Sequence, residues 1–438
     1  MNLRPDPSAR QTACMGHDWF QSVWLAGLLL AGCAAPRPEA GGWARLAPYQ
    51  GALTADEWRL TLERRFVPNG TGAGFLEVAP DGNALVLGPM DDKPVQFATL
   101  RYLPTRPPDA PRPALPPGTR FWRSLAELGP ATPDHPLAGV HLALDPGHLG
   151  GAWGKMEARS FSFNGDPAVQ EGDLALRVAQ LLKPRLEALG AQVSLVRDRP
   201  GPVTNDTPAS LRSAAEKEWL ASARPPIPPP GSPAREDAIT HLAELLFYRT
   251  REIEARAQRV NQVLKPDLVL CLHLDAAAWT DPQNPALLEQ PQHFHILVNG
   301  AYSAAEVREE AQRIALVERI ASGAGDEELA VALAMAEGAV PVFGQPASGY
   351  SLPTGVALGG NGYVWGRNVL ADRLYRCPVV FLEPYVANSV EGYARIQAGE
   401  YPGTREFNGV ARKNVFVEYG DAVVAGLVKY YGQRSVAR

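Results

Sequence analysis

Cysteine is scarce in this chain, four in 438 residues, and none has the paired spacing that builds a thiolate zinc site. Charge of one sign is missing too: a formal net charge of −5 gives no electrostatic case for a nucleic-acid partner. No internal repeat is evident, so a solenoid or propeller array is excluded. The apolar run Val23-Trp24-Leu25-Ala26-Gly27-Leu28-Leu29-Leu30 is too short to span a bilayer. What is present is ordinary for a globular protein, 45% hydrophobic and 20% charged residues, in a chain long enough for two or three domains. Proline is the exception. Many of its 41 copies fall in 106–117 and 224–233, which read as loops or linkers because proline fixes φ and removes an amide donor.

The early apolar run fits the core of a signal peptide. It ends in Leu30-Ala31-Gly32-Cys33, which resembles the lipobox of bacterial lipoproteins. That resemblance implies a signal peptide over 1–33, a lipid anchor on Cys33, and a membrane-attached protein on the periplasmic side of the cell envelope. Ala34, rather than Asp, after the cysteine resembles the outer-membrane sorting pattern. An uncleaved anchor is the alternative, and Met15 could be the start, although no Lys or Arg would then precede the apolar core. Cys14 lies in the segment that would be removed. Cys271 and Cys377 remain, each in or beside a strand-like run, and are expected to be buried free thiols rather than a disulfide.

Downstream, 34–48 reads as a tether and 49–104 as a small α+β domain of unknown role. In the latter, a helix over 54–66 precedes a hairpin around Pro80-Asp81-Gly82-Asn83. A proline-rich linker spans 105–136. From 137 to 438 strands and helices alternate, which predicts an α/β fold: a mostly parallel twisted sheet with helices on both faces. Strands are expected at 140–144, 192–196, 268–272, 293–298 and 379–382. A helix over 171–189 carries Leu174, Val178, Leu182, Leu186 and Leu189 on one face, with Pro184 expected to kink it. Further helices are expected at 238–264, 304–322, 327–337 and 415–431, and a Gly-rich loop at 349–366. Two large insertions stand out, 202–233 and 301–363, readable as a lid, a partner surface or an inhibitory element.

Three strand-like runs deliver polar groups at their carboxyl ends. Val140 to Leu144 breaks into Asp145-Pro146-Gly147-His148, 268–272 leads into His273, and Val379-Val380-Phe381-Leu382 ends on Glu383. Ligands of open α/β sheets bind at that edge. Two imidazoles and several carboxylates gathered there can hold zinc and a base beside it, so a metal-dependent hydrolase is the leading reading. Each residue alone has a plainer explanation. His148 could be a loop residue, Glu171 a complement to the helix dipole, His273 a core histidine and Glu383 half of an ion pair. His293 and His295 share a strand face and read as packing, with His293 as a candidate substrate-side group.

The order of these segments resembles the zinc-dependent N-acetylmuramoyl-L-alanine amidases of the Amidase_3 type. The likeness rests on Asp145-Pro146-Gly147-His148-Leu149-Gly150-Gly151, Glu171-Gly172-Asp173-Leu174, and Arg256 and Asn261 ahead of 266–276. It closes on Val379 to Pro384 with Asn388-Ser389. It implies one zinc ion per chain on His148, Glu171 and His273, with Glu383 as the catalytic acid/base. It also implies peptidoglycan as substrate, cut at the amide between N-acetylmuramic acid and L-alanine. Asp145, Asp275 and Arg256 are candidates for the outer shell, the two aspartates to orient a ligand imidazole. This chain departs from the pattern in three places. A long gap after His148 makes Glu157 a rival ligand, Asp275 stands where Asn is common, and Tyr385 replaces a Gly and could narrow the cleft. A catalytically impaired lipoprotein that binds peptidoglycan or activates another hydrolase is the alternative, and a periplasmic metallopeptidase a third reading. A regulatory protein partner is compatible with all of them.

Overall fold

Near-continuous apolar runs mark strands buried on both faces, and the central sheet is built from them. A computed structural model describes residues 42–88, 98–107, 110–163, 165–222, 227–278, 288–289, 292–348, 350 and 355–435. Cys33 and the rest of the lipobox lie outside the described residues. Seven strands form the sheet: β1 (His141–Pro146), β2 (Gln192–Leu195), β3 (Leu268–Leu272), β4 (Phe294–Val298), β5 (Val356–Leu358), β6 (Val364–Gly366) and β7 (Val379–Pro384). Their order is β5-β6-β4-β7-β3-β1-β2. β2, β1, β3 and β7 are mutually parallel, β4 runs antiparallel to β7, and the β5–β6 pair continues the sheet beyond β4. The expected mixed α/β architecture with a mostly parallel sheet is what the chain adopts.

Strand alternation divides the core in two. Leu142, Leu144, Leu268, Leu270, Leu272, Ile296, Val380 and Leu382 enter one cluster with helices α1 (Glu171–Ala188), α2 (Ala324–Phe343) and α3 (Val415–Tyr431). Ala143, Val269, Cys271, Leu297, Val379 and Phe381 face the other way, toward Trp122, Ala257, Val260 and Tyr375. Helices α2 and α3 cross closely: a Cβ on Gly426 would lie 2.6 Å from the Met335 Cα. Cys271 and Cys377 are free and buried, as expected. α1 continues through Pro184.

Two expectations change, the Gly-rich loop and the start of the helix read at 238, and the first insertion takes on a definite structure. The Gly-rich stretch contains β5 and β6, because strands of three residues each, Val-Ala-Leu and Val-Trp-Gly, carry too little pattern to be told from loop. The 202–233 insertion contains a helix, Pro208–Ser222. It pairs with Pro233–Leu245 over Ala215, Ile239 and Ala243 and through Arg235–Glu216. The helical stretch read at 238–264 therefore starts at Pro233, and it passes through π-helical turns at Leu246–Arg251 and Arg259–Leu264.

The amino-terminal unit does not close its own core. Gly42–Tyr49, part of the stretch read as a tether, is a 3-10 helix with Leu46 and Tyr49 buried. Leu46, Trp58, Leu62, Phe66, Leu85 and Leu100 pack with Tyr302, Val307, Ile314, Val317 and Ile320. The first part of the 301–363 insertion is thus the floor of that unit. Arg65 crosses the same boundary, donating to the Asn299 carbonyl (2.7 Å) and to Glu328 (2.7 Å). Fully buried Glu328 also pairs with Arg319 and accepts from the Val379 amide. Glu328→Ala strands two buried guanidinium groups without their carboxylate, and losses of about 3–5 kcal/mol are typical of a broken buried pair. A denaturant or thermal melt is expected to show a shift of that size, far above that of an exposed control such as Glu63→Ala.

Candidate metal centre

Pleating puts Ala143 and Asp145, Cys271 and His273, and Phe381 and Glu383 on one face of adjacent parallel strands. Past the end of β3 the ladder persists, since the His273 amide donates to the Leu382 carbonyl (3.0 Å). His273 and Glu383 therefore emerge side by side at the carboxyl edge. The His273 ring packs on Phe381 at 5.5 Å between centroids. Tyr419 of α3 braces the pair from below, its hydroxyl 3.1 Å from both the His273 and the Leu382 carbonyl oxygens.

His148 arrives from the turn after β1 with a left-handed backbone, φ 54°. Such a conformation in a non-glycine residue is strained and must be held by its surroundings. Arg256 holds it, donating to the Pro146 carbonyl (2.7 Å), the His148 carbonyl (2.9 Å) and Asp145 (2.9 Å). Asp145 also accepts from the Tyr375 hydroxyl. The preceding Gly147 leaves room for the second imidazole: a Cβ there would lie 2.4 Å from His273 Cε1.

Glu171, the first residue of α1, lies between the two rings. Its Oε2 is 3.4 Å from His148 Nε2 and its Oε1 is 3.1 Å from His273 Nδ1. The rings stand edge to face, 5.0 Å between centroids. Donor atoms from His148, Glu171 and His273 all fall within 4.8 Å of one another. Glu383 Oε1 is 4.0 Å from His273 Nδ1.

Charge states follow from burial and proximity. Burial holds His148 below its ordinary pKa, toward the neutral form. Burial opposes ionisation of Glu171, yet His148, the hydrogen bond from His273, and Arg159 bring its pKa down to about 2. Burial likewise opposes a charged His273, but Glu383 and Glu171 raise its pKa. Glu383 is pushed up to about 8, by burial first and then by the negative charge of Glu171 and Asp275 against the pull of His273.

The structure brings together four of the residues singled out from sequence: His148, Glu171, His273 and Glu383. It assigns others differently. Glu157, the rival ligand, instead accepts from His148 Nδ1 (3.1 Å) and from the Leu149 amide (3.0 Å). That fixes the tautomer which leaves Nε2 free toward Glu171. Among the described residues, neither Asp145 nor Asp275 hydrogen-bonds a ring of His148 or His273. Asp145 is occupied by Arg256 and Tyr375, because its strand position points it into the second core. Asp275 accepts from His293 Nε2 (2.7 Å). Tyr385 does not narrow the cleft. At φ 60° its ring turns inward beside Phe343 and Tyr419, with its hydroxyl 3.0 Å from Glu418. Arg159, unremarked in the sequence, lines a small cleft with Glu171, Phe161 and Asp275.

Two imidazole nitrogens and a carboxylate, close enough to share one ion and with a carboxylate fixing one ring, fit a catalytic zinc site. Glu157→Ala removes that outer support, so affinity for any divalent ion held by this group is expected to fall about 10–100-fold, read with zinc as the probe by competition with a chromogenic chelator.

No family model matches the chain, and no curated protein does. Among solved structures it is similar to the N-acetylmuramyl-L-alanine amidase Ami1 from Mycobacterium smegmatis, at 17% identity and a TM-score of 0.37, over 68% of this chain and 99% of that one. It is also similar to the amidase AmiC2 of Nostoc punctiforme, at 12% identity and 0.33, over 67% and 98%. The CwlD amidase from Clostridioides difficile, solved in complex with the GerS lipoprotein, aligns at 11% identity and 0.34, over 68% and 99%. Values this low leave any assignment to the chemistry of the site.

Proposed function

We propose that this chain is a zinc-dependent hydrolase that cuts the amide between N-acetylmuramic acid and the L-alanine of peptidoglycan stem peptides. The carrying observation is the His148–Glu171–His273 group with Glu383 beside it, on the motifs whose order resembles the amidases. A zinc ion held by those three residues would supply Lewis acidity, polarising a carbonyl and acidifying water. Glu383 takes a proton from the attacking water and returns it to the departing amide nitrogen, the two-way task of a partly desolvated carboxylate. Glu157 and Arg256 keep His148 in position while this happens. Arg159, at the cleft wall, lies 3.8 Å from Glu171 and favours the charged form of that carboxylate.

The reading includes attachment to the cell envelope through a lipid on Cys33, supported by the apolar run and the residues before the cysteine. Among the described residues, no helix is long and apolar enough to cross a membrane. Cys33→Ser is expected to move the protein from the membrane to the soluble fraction of cells.

Mass spectrometry of sacculi treated with purified protein tests the activity. Free stem peptides with an amino-terminal L-alanine are expected, lost with a chelator and restored by zinc. Cleavage within the stem peptides instead would point to a peptidase, and sacculi left intact under all conditions would point to a binding protein.

A further inference from the structure

A second group of ligating side chains lies at the same sheet edge. Asp275 is two residues beyond His273, roughly 7 Å along extended chain. Its Oδ2 lies 2.7 Å from His293 Nε2 and 3.5 Å from His295 Nδ1. Donor atoms of all three fall within 4.8 Å of one another. Ligand atoms around a tetrahedral zinc, at about 2.0–2.1 Å from the metal, are roughly 3.3 Å apart. The observed separations bracket that value.

An independent observation points beyond the His293–Asp275 hydrogen bond to a ligand. His295 is 1% exposed, and its Nδ1, aimed at Asp275, has no hydrogen-bond partner among the described residues. Its other nitrogen, Nε2, lies 2.9 Å from the Tyr350 hydroxyl, which fixes the ring. A buried ring nitrogen left without a partner calls for an explanation, and an ion is one. Register supplies the link to the first site, because His295 is the cross-strand partner of Glu383. β7, which carries Glu383, lies between β3 and β4.

We infer that Asp275, His293 and His295 form a second site for a divalent transition-metal ion. Two imidazoles and one carboxylate select an ion of zinc's class over magnesium or calcium. Asp275 also lines the cleft beside Glu171, so the second ion borders the same space as the first. The inference stands independently of the hydrolase reading.

The test is zinc stoichiometry of the purified full chain, stripped with a chelator, reloaded with zinc alone, desalted and measured by elemental mass spectrometry. About two ions per chain are expected for the wild type, about one for His148→Ala, about one for His293→Ala, and none for the double variant. His293 is partly exposed, which favours folding of its variant, and Asp275→Asn, which keeps the side-chain shape, serves as a second probe. Wild-type stoichiometry in both His293→Ala and Asp275→Asn overturns the inference. So does a single wild-type ion that disappears with His148→Ala. A wild type that binds one ion in all, kept in His148→Ala and lost in His293→Ala, supports the second site while removing the basis of the hydrolase reading, so the two failures are distinct.

Discussion

Glu383→Gln is expected to lower turnover on sacculi by about 10²–10⁴-fold, the usual contribution of a positioned general acid/base. Gln keeps the shape of the side chain and cannot carry a proton between water and leaving group. Because Glu383 is beside the ligand group rather than in it, zinc content should be unchanged. Loss of turnover with full metal content separates a proton-transfer role from a structural one. Turnover close to wild type would remove Glu383 from the mechanism.

His273→Ala is expected to bring hydrolysis below detection and to reduce zinc content by one ion. In the proposed centre its ring would be one of three ligands, and Glu171 would lose the nitrogen 3.1 Å away. The backbone there is held by the bond from the His273 amide to Leu382 and by Tyr419, so the fold should persist. A soluble, folded variant that still hydrolyses sacculi would show that the reaction does not use this group.

How far these sites could be read in the sequence depended on pattern strength. β1, β3 and β7 are runs of branched and aliphatic residues ending abruptly in Asp-Pro-Gly-His, His and Glu. A strand buried on both faces looks like that whatever its neighbours, and it was the recurrence of such residues at three strand ends, rather than any one of them, that pointed to a site. Glu171 was legible because a long amphipathic helix starts on it. The role of Glu157 was hidden: its contact with His148 depends on how the short helix Trp153–Met156 folds back, which has no periodic signature. The Asp275–His293–His295 group was hidden for a different reason. β4 runs antiparallel to β7, and alternation alone places His293 and His295 on one face without saying that Asp275 meets them. Tyr385 misled because a large residue at a glycine-like position suggests a blocked cleft, whereas its positive φ turns the ring into the core.

Anomalous diffraction at the zinc edge, from crystals of the zinc-loaded protein, tests the central claim most directly. A peak is expected about 2.0–2.2 Å from His148 Nε2, Glu171 and His273 Nδ1 together, with the Glu383 carboxylate alongside. A zinc-loaded crystal with no peak between those three side chains, or with either ring turned away from Glu171, would contradict that claim.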